Sequence, residues 1–211
     1  MNHDLDDIAK QMISDPAQFK IAMAKHFLDK IPKKIPESNH DRMALEANID
    51  SFLFFASSVI DVIKREINEK FELFDKDNVF YIHGLRKQLA DSGKQKMVKK
   101  IIASYFTTPS RKQDVKSSLN TKQSSLWRLQ ILRNKVTHGH IIKPKVGKML
   151  KITYTVRQYK QRSESSFEFE ENVQNPKKYF EQIFEDLTDF VKRTRKVILP
   201  KTKPKHLNAG P

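Results

Sequence analysis

Cysteine is absent from this chain. Disulfide bonds, zinc sites built from thiolates and cysteine nucleophiles are therefore excluded. Glycine is also scarce, with 5 residues in a chain of 211. Because a sheet of many strands needs frequent turns, the shortage of glycine and the long apolar periods together favour a mainly α fold.

The chain also lacks a segment that would direct it into or across a membrane. The first ten residues, MNHDLDDIAK, are acidic and contain no apolar core, so they do not resemble a signal peptide. No uninterrupted run of about 18 apolar residues occurs. We therefore expect a soluble, cytoplasmic protein with no membrane partner.

Positive charge exceeds negative charge. The chain contains 40 Lys and Arg residues against 25 Asp and Glu residues, which gives a net charge of +15 at pH 7. A soluble protein this basic usually has an anionic partner, most often a nucleic acid. The alternative is that lysine only keeps the surface soluble. Net charge alone does not distinguish this interpretation from an anionic partner. The basic residues cluster at 94–100, at Arg111 and Lys112, at 143–151 and at 192–205.

Apolar residues at helical spacing predict most of the secondary structure. The clearest pattern extends from Leu45 to Ile67 without an interrupting proline or glycine, and it predicts a long core helix over residues 40–73. Another helix is predicted over residues 5–30, with a break at Asp15-Pro16 as an alternative. The remaining predicted helices cover residues 79–90, 94–107, 122–138 and 176–198.

The spacing of apolar residues changes after residue 148, from a helical repeat to strict alternation with polar residues. Apolar and polar residues alternate in MLKITYTVRQY and again in SFEFEEN, with the polar stretch QYKQRSES between them as a turn. This predicts a β-hairpin at about residues 149–171, inserted before the last helix. We expect an N-terminal helical segment and linker over 1–36, one helical domain over 37–199 and a basic, disordered tail over 200–211.

A row of polar residues follows one side of the predicted long helix. Asp50, Ser57, Asp61 and Asn68 fall within a few tens of degrees of one another at 100° per residue. A solvated face is the simpler interpretation of this row. A polar line that faces a cleft is the alternative.

The segment RLQILRNKVTHGH, residues 128–140, places an arginine, an amide and a histidine at the end of a helix that otherwise buries leucines. Asn134 and His138 are four residues apart and therefore share one helical face. Arg133 and His138 are five apart, about 140° around and about 7.5 Å along an ideal helix. They do not touch in a regular helix, but they can flank a groove or meet across a two-fold axis.

These three side chains have the chemistry that metal-free phosphodiester cleavage needs. Histidine can give and take a proton near neutral pH. Arginine offers a rigid fork that matches phosphate oxygens, and Asn134 could orient the imidazole. The same residue types are also common as caps and surface groups near helix ends, so their spacing alone leaves both interpretations open.

The stretch LRNKVTHG closely resembles the signature of the HEPN superfamily (higher eukaryotes and prokaryotes nucleotide-binding domains). In that signature an arginine is followed after four to six residues by a histidine, often with a polar residue directly after the arginine. Arg133, Asn134 and His138 take these places. The resemblance covers roughly residues 40–198, and only the short motif is specific. It implies an up-and-down bundle of four or five helices that forms a homodimer, with the paired motifs lining a cleft at the two-fold axis.

Many members of the superfamily are metal-independent endoribonucleases of toxin–antitoxin, defence or RNA-processing systems. The resemblance implies that His138 acts as general acid or base in transesterification within RNA. Arg133 would stabilise the charge on the phosphorane, and Asn134 would orient one of the two. Asp61 or Asp50, from the polar row, could face the same cleft and hold His138 or Arg133. The hairpin is outside the common core, so subfamily and target stay open.

Two other functions are open for such a fold. One is a catalytically inactive module that binds RNA or a nucleotide, because some members keep the fold and have lost the activity. The other is a structural dimer that engages an acidic antitoxin-like protein.

The basic residues around the motif are expected to guide the RNA backbone through contacts that are blind to sequence and sensitive to salt. No cofactor and no metal are expected, because His138 and His140 have poor spacing for metal ligands on a helix and have no further ligand cluster nearby. The chain also has no Gly-rich phosphate loop, HExxH motif or nucleophile elbow. The expected RNA-binding residues are Lys135, His140, Lys143, Lys145 and Lys148.

Overall fold

The computed structural model describes residues 14–74, 81–107, 124–137, 149–160 and 163–199, with side chains except at 135–137, 153–160 and 163–169. In these ranges the protein is mainly helical, which confirms the predicted class. The helices are α1 (Pro16–Lys30), α2 (Asn39–Phe71), α3 (Ile82–Gln88), α4 (Gly93–Ala103), α5 (Ser125–Thr137) and α6 (Pro176–Ile198). The strands are β1 (Leu150–Lys160) and β2 (Ser163–Val173).

Helix α1 begins at a clear start signal. The Asp15 carboxylate accepts a hydrogen bond from the Gln18 backbone N–H at 3.0 Å, and Pro16 is the first helical residue. This is a favoured helix start, because proline has no N–H to leave unpaired. The predicted break at Asp15-Pro16 is confirmed, and an unbroken helix through this point is wrong. Residues 5–13 of that prediction lie outside the described residues.

The long helix α2 lies at the centre of the core. Ser38 caps its start by accepting a hydrogen bond from the Asp41 backbone N–H at 3.1 Å, and Glu72 ends it in a left-handed conformation with φ of 51°. The apolar stripe from Leu45 to Ile67 is buried, as predicted. By length and composition alone α2 could cross a membrane. Its apolar face packs against other helices of the chain, which is compatible with the core helix of a soluble protein.

Helix α6 runs beside α2 in the same direction. Phe180 packs edge-to-face on Phe52 with 5.4 Å between ring centroids. Further along both helices, the Arg195 guanidinium bonds the Glu66 carboxylate. The residue numbers rise together in both pairs, so the two helices are parallel.

Helix α1 runs in the opposite direction to α2 and α6. Its first residues lie near the end of α6, where Asp15 bonds Arg195. Near its other end, Phe27 stacks on Phe55 of α2 at 5.7 Å between centroids. The chain therefore reverses direction through the linker between α1 and α2, where Pro32 and Pro36 are unfavourable inside a helix.

The predicted hairpin is confirmed, and its strands are longer than expected. β1 and β2 pair antiparallel from Leu150 opposite Val173 to Lys160 opposite Ser163. Placing the turn over residues 158–165 was wrong, because strand pairing extends through three of these residues on each side of the tip, 158–160 and 163–165. The base of the hairpin is attached to the core by three buried side chains, Leu150, Ile152 and Val173.

Candidate functional site

Arg133 and Asn134 of the motif lie on α5, which is held in the core by its leucines. Leu126, Leu129 and Leu132 are fully buried, and their spacing places them on one side of the helix. The first turn is also bonded to the segment after α4, because the Leu126 backbone N–H donates to the Tyr105 carbonyl oxygen at 3.3 Å. α5 contacts both α2 and α6. The polar residues after Leu132 therefore extend from a helix whose position is fixed.

The contacts of α5 set its direction. At its start lies Tyr105, whose ring packs on Phe190 with 5.6 Å between centroids. Arg128 already lies over the ring of Tyr179, with 5.4 Å from its guanidinium carbon to the centroid. α5 thus runs towards the amino-terminal end of α6, and it also contacts β1.

Arg133 and Asn134 are joined directly. Arg133 Nη1 donates a hydrogen bond to Asn134 Oδ1 at 3.3 Å. Arg133 is partly buried and Asn134 is exposed. Because a guanidinium is planar and carries its five N–H donors in a fixed arrangement, this bond orients the whole cation relative to the Asn134 amide.

Six of the other predicted site residues have side chains that lie outside the described part of the structure. α5 extends to Thr137, so the helix reaches the residue directly before the predicted histidine. The residues outside the described side chains are Lys135, His138, His140, Lys143, Lys145 and Lys148. Their roles stay predictions.

The polar row on α2 is not a solvated face along its whole length. Ser57 and Asn68 are both 6% exposed. The Ser57 hydroxyl donates to the Phe54 carbonyl oxygen at 3.2 Å, one turn earlier in the same helix. Asn68 exchanges two hydrogen bonds with the backbone of Phe74, at 2.9 and 3.0 Å, and so fixes the turn after α2. Local backbone groups satisfy these two side chains, which explains why they can be buried.

The two carboxylates of the row have different surroundings. Asp61 is exposed and pairs with Lys64 at 2.6 Å. Asp50 is partly buried, and its pKa is raised, first because burial disfavours the charged form and second because the Glu46 carboxylate is one turn away. Within the described part of the chain, neither carboxylate is bonded to Arg133. Their support of the cleft stays a prediction.

Sequence reasoning missed Arg128, a buried arginine on the motif helix. It is 4% exposed and lies over the Tyr179 ring. A cation over an aromatic ring is attracted by the ring's electrons, so this contact fastens α5 to α6. The signal was present in the sequence, because Arg128 is four residues before the buried Leu132 and therefore lies on the apolar side of the helix.

A metal centre does not occur among the described residues. No three His, Asp or Glu side chains in those ranges lie close enough together to hold an ion. Asp15 and Glu66 both pair with the single guanidinium of Arg195. The chemistry of the described part of the site is therefore that of Arg133 and Asn134.

Comparison of the chain with protein-family models, curated protein sequences and solved structures finds no significant match. The family resemblance therefore depends on the motif residues and on their place in the fold.

Proposed function

We propose that this chain is a metal-independent endoribonuclease of the HEPN type that acts as a cytoplasmic homodimer. The observation that carries the proposal is the bond between Arg133 and Asn134 at the end of the leucine-anchored helix α5. The histidine of the motif follows one residue after α5 ends. The packing of α5 against the long helix α2 and the last helix α6 agrees with a HEPN-like up-and-down bundle.

The proposed reaction is transesterification within RNA. His138 takes the proton of the ribose 2′-OH as the 2′-oxygen forms a bond to phosphorus, and an imidazolium gives a proton to the 5′-oxygen as the P–O5′ bond breaks. The Arg133 fork donates hydrogen bonds to the non-bridging oxygens, where negative charge develops. The products are a 2′,3′-cyclic phosphate and a 5′-hydroxyl. The need for the 2′-OH restricts the substrate to RNA.

The spacing of the motif residues supports a homodimer. Arg133 and His138 would be separated by about 140° if the helix stayed regular to His138, so a single copy would direct the two side chains to different sides. Two copies that face each other across a two-fold axis would direct arginine and histidine side chains at one phosphate. One imidazole would then be the base and the other the acid. Because the chain carries a net charge of +15, an acidic antitoxin-like protein is the protein partner we propose for this dimer.

The test is a time course of RNA cleavage in EDTA. We expect the wild-type protein to cleave a mixed RNA pool and leave 2′,3′-cyclic phosphate ends. His138→Ala and Arg133→Ala should each lower the rate by about 10²-fold or more. His40→Ala and Arg65→Ala are matched controls, because both side chains are exposed on α2.

Negligible cleavage by the wild-type protein would contradict the proposal. An RNA-binding module without activity would then be the better interpretation, provided that the protein binds RNA with an affinity that falls steeply with salt. Cleavage that persists unchanged in both motif variants would also contradict it, because the activity would then belong to other residues.

A further inference from the structure

The surface formed by α3 and α4 is strongly basic. Residues 81–107 contain six Lys and Arg residues and a single carboxylate, Asp91. That carboxylate is already bound to Lys99 at 2.9 Å. The other five cations make no ion pair within the described part of the chain. We call them the α3–α4 basic surface: Arg86, Lys87, Lys94, Lys96 and Lys100.

The long helix α2 does not share this excess of positive charge. α2 carries six Asp and Glu residues against four Lys and Arg residues. Elsewhere, lysine and arginine form ion pairs in several helices, for example Lys25 with Asp29 and Lys64 with Asp61. Lysine that only maintained solubility would be spread over the chain. A cluster without counter-charges instead creates a positive field that attracts an anionic partner.

The two helices of this surface form one fixed unit. The Ala90 backbone N–H donates to Gln95 Oε1 at 2.7 Å, and Lys99 Nζ donates to the Leu89 carbonyl oxygen at 3.2 Å. Both bonds cross the short turn between α3 and α4. At the far end of α4, the Tyr105 hydroxyl donates to Asp189 of α6 at 2.7 Å. The backbone that carries these cations is therefore already fixed, so ligand binding does not cost the entropy of ordering it.

The cations of α4 face away from the core. Val98, Ile101 and Ile102 are buried, whereas Lys96 and Lys100 are exposed. These two lysines are four residues apart, so their Cβ atoms are about 6 Å apart on one face. A phosphate backbone presents negative charges at short, regular intervals, which matches such a row.

Exposed apolar groups lie on the same two helices. Tyr81, directly before α3, is 82% exposed, and Met97 of α4 is 53% exposed. An exposed tyrosine ring is a platform on which a nucleic-acid base stacks, and this requires unpaired bases. The combination favours a single strand over a duplex.

We propose that the α3–α4 basic surface is a docking surface for single-stranded RNA, with Lys96 and Lys100 on phosphates and Tyr81 on a base. The choice of RNA rests on the proposed ribonuclease function. The surface is joined directly to the motif helix, because Leu126 of α5 donates to the carbonyl oxygen of Tyr105, just after α4. A strand held on α3 and α4 is thus delivered to the start of the helix that carries Arg133.

The first test is a binding titration by fluorescence anisotropy with a labelled oligouridine. Full-length Arg133→Ala protein is used throughout, so that the probe is not cut. The variant Lys96→Ala/Lys100→Ala is compared with Lys33→Ala/Lys34→Ala, which removes the same charge from an exposed pair in the α1–α2 linker. We expect the α4 variant to bind about tenfold or more weakly, with a salt slope smaller by about 1.4 because two phosphate contacts are lost.

Tyr81 is tested separately from charge. Tyr81→Ala should weaken oligouridine binding about fivefold or more, whereas Tyr81→Phe, which keeps the ring, should bind as the parent protein does. Equal affinities for the α4 and linker variants would overturn the proposal. Tighter binding to duplex DNA than to oligouridine would overturn it as well, because the surface would then prefer a paired helix.

Cleavage assays separate this proposal from the proposed function. With Arg133 intact, Lys96→Ala/Lys100→Ala should lower kcat/KM on long RNA and leave cleavage of a dinucleotide unchanged, because a dinucleotide is too short to reach both surfaces. If no RNA is cut but oligouridine binding still depends on Lys96 and Lys100, the proposed ribonuclease function is wrong and the proposed docking surface is supported. If RNA is cut and oligouridine binding does not depend on these two lysines, the proposed docking surface is wrong.

Discussion

The Arg195 guanidinium donates two hydrogen bonds of 2.8 Å to the Asp15 carboxylate, which lies 180 residues earlier in the chain. Its Nε also donates to Glu66 of α2 at 3.0 Å. One side chain near the end of α6 therefore connects the first, the longest and the last described helices. Because Asp15 also caps α1, the carboxylate that starts this helix is the one that fixes it to the bundle.

Replacing Arg195 should lower stability. Arg195→Met keeps an unbranched stem but removes the guanidinium, so it leaves two partly buried carboxylates without their cation. We expect the free energy of unfolding, measured by urea denaturation at pH 7, to fall by about 1–3 kcal/mol. Lys196→Met is the control, because Lys196 is exposed. Equal losses in the two variants would mean that the bonds to Asp15 and Glu66 contribute no net stability.

The same contact predicts a pH dependence. The pKa of Asp15 is lowered, mainly by its hydrogen bonds to Arg195 and also by the Gln18 backbone N–H. An acid whose pKa is depressed on folding adds stability above its unfolded pKa, and this stability is lost as the pH falls through the folded value. The free energy of unfolding should therefore decrease below about pH 4. Arg195→Met should show a smaller decrease over that range, and parallel pH profiles would contradict the assignment.

The hydroxyl of Tyr105 should contribute to stability through two partners. It donates to Asp189 at 2.7 Å and accepts from Arg193 Nη1 at 3.2 Å, while its ring is fully buried. Tyr105→Phe keeps the ring and removes both bonds, so we expect a loss of about 1–2 kcal/mol in the free energy of unfolding. Tyr81→Phe is the matched control, because that ring is 82% exposed. No difference between the variants would show that water replaces the hydroxyl without cost.

Asp50 should behave in the opposite way to Asp15. Its pKa is raised by burial and by the Glu46 carboxylate. The folded state therefore holds the proton more tightly, and stability decreases as the pH rises above the unfolded pKa. Asp50→Asn should raise the free energy of unfolding at pH 7, and the gain should vanish below about pH 3. Asp61→Asn should give no gain, because Asp61 already pairs with Lys64. A loss of stability in Asp50→Asn would indicate a charged partner for Asp50.

Local sequence signals predicted the helices well where a start signal and an apolar stripe agree. α6 was expected over 176–198 and extends over Pro176–Ile198. Its Asn175 cap accepts from the Lys178 backbone N–H at 3.0 Å, and Pro176 follows directly. These signals lie within a few residues of one another, so they can be recognised without knowledge of the rest of the fold.

Contacts between distant side chains could not be predicted in the same way. Nothing within the neighbouring sequence joins Asp15 to Arg195, because their meeting depends on how α1 and α6 pack. The polar row on α2 was misread for a related reason. Helical spacing places Ser57 and Asn68 on one side, but only the backbone at Phe54 and Phe74 shows that both can be buried and bonded.

The bond between Arg133 and Asn134 predicts an order of effects on RNA cleavage. Arg133→Lys keeps the positive charge but loses the planar guanidinium that can donate two hydrogen bonds to a phosphate, so kcat/KM should fall about 10²-fold. Asn134→Ala keeps the guanidinium and loses the acceptor 3.3 Å away that orients it, so about a tenfold fall is expected. If Asn134 is a positioning residue that acts through Arg133, the double variant should be no worse than Arg133→Lys alone. The measurement is kcat/KM in EDTA for the four proteins. Losses that multiply would instead assign Asn134 a separate contact, with His138 or with the RNA.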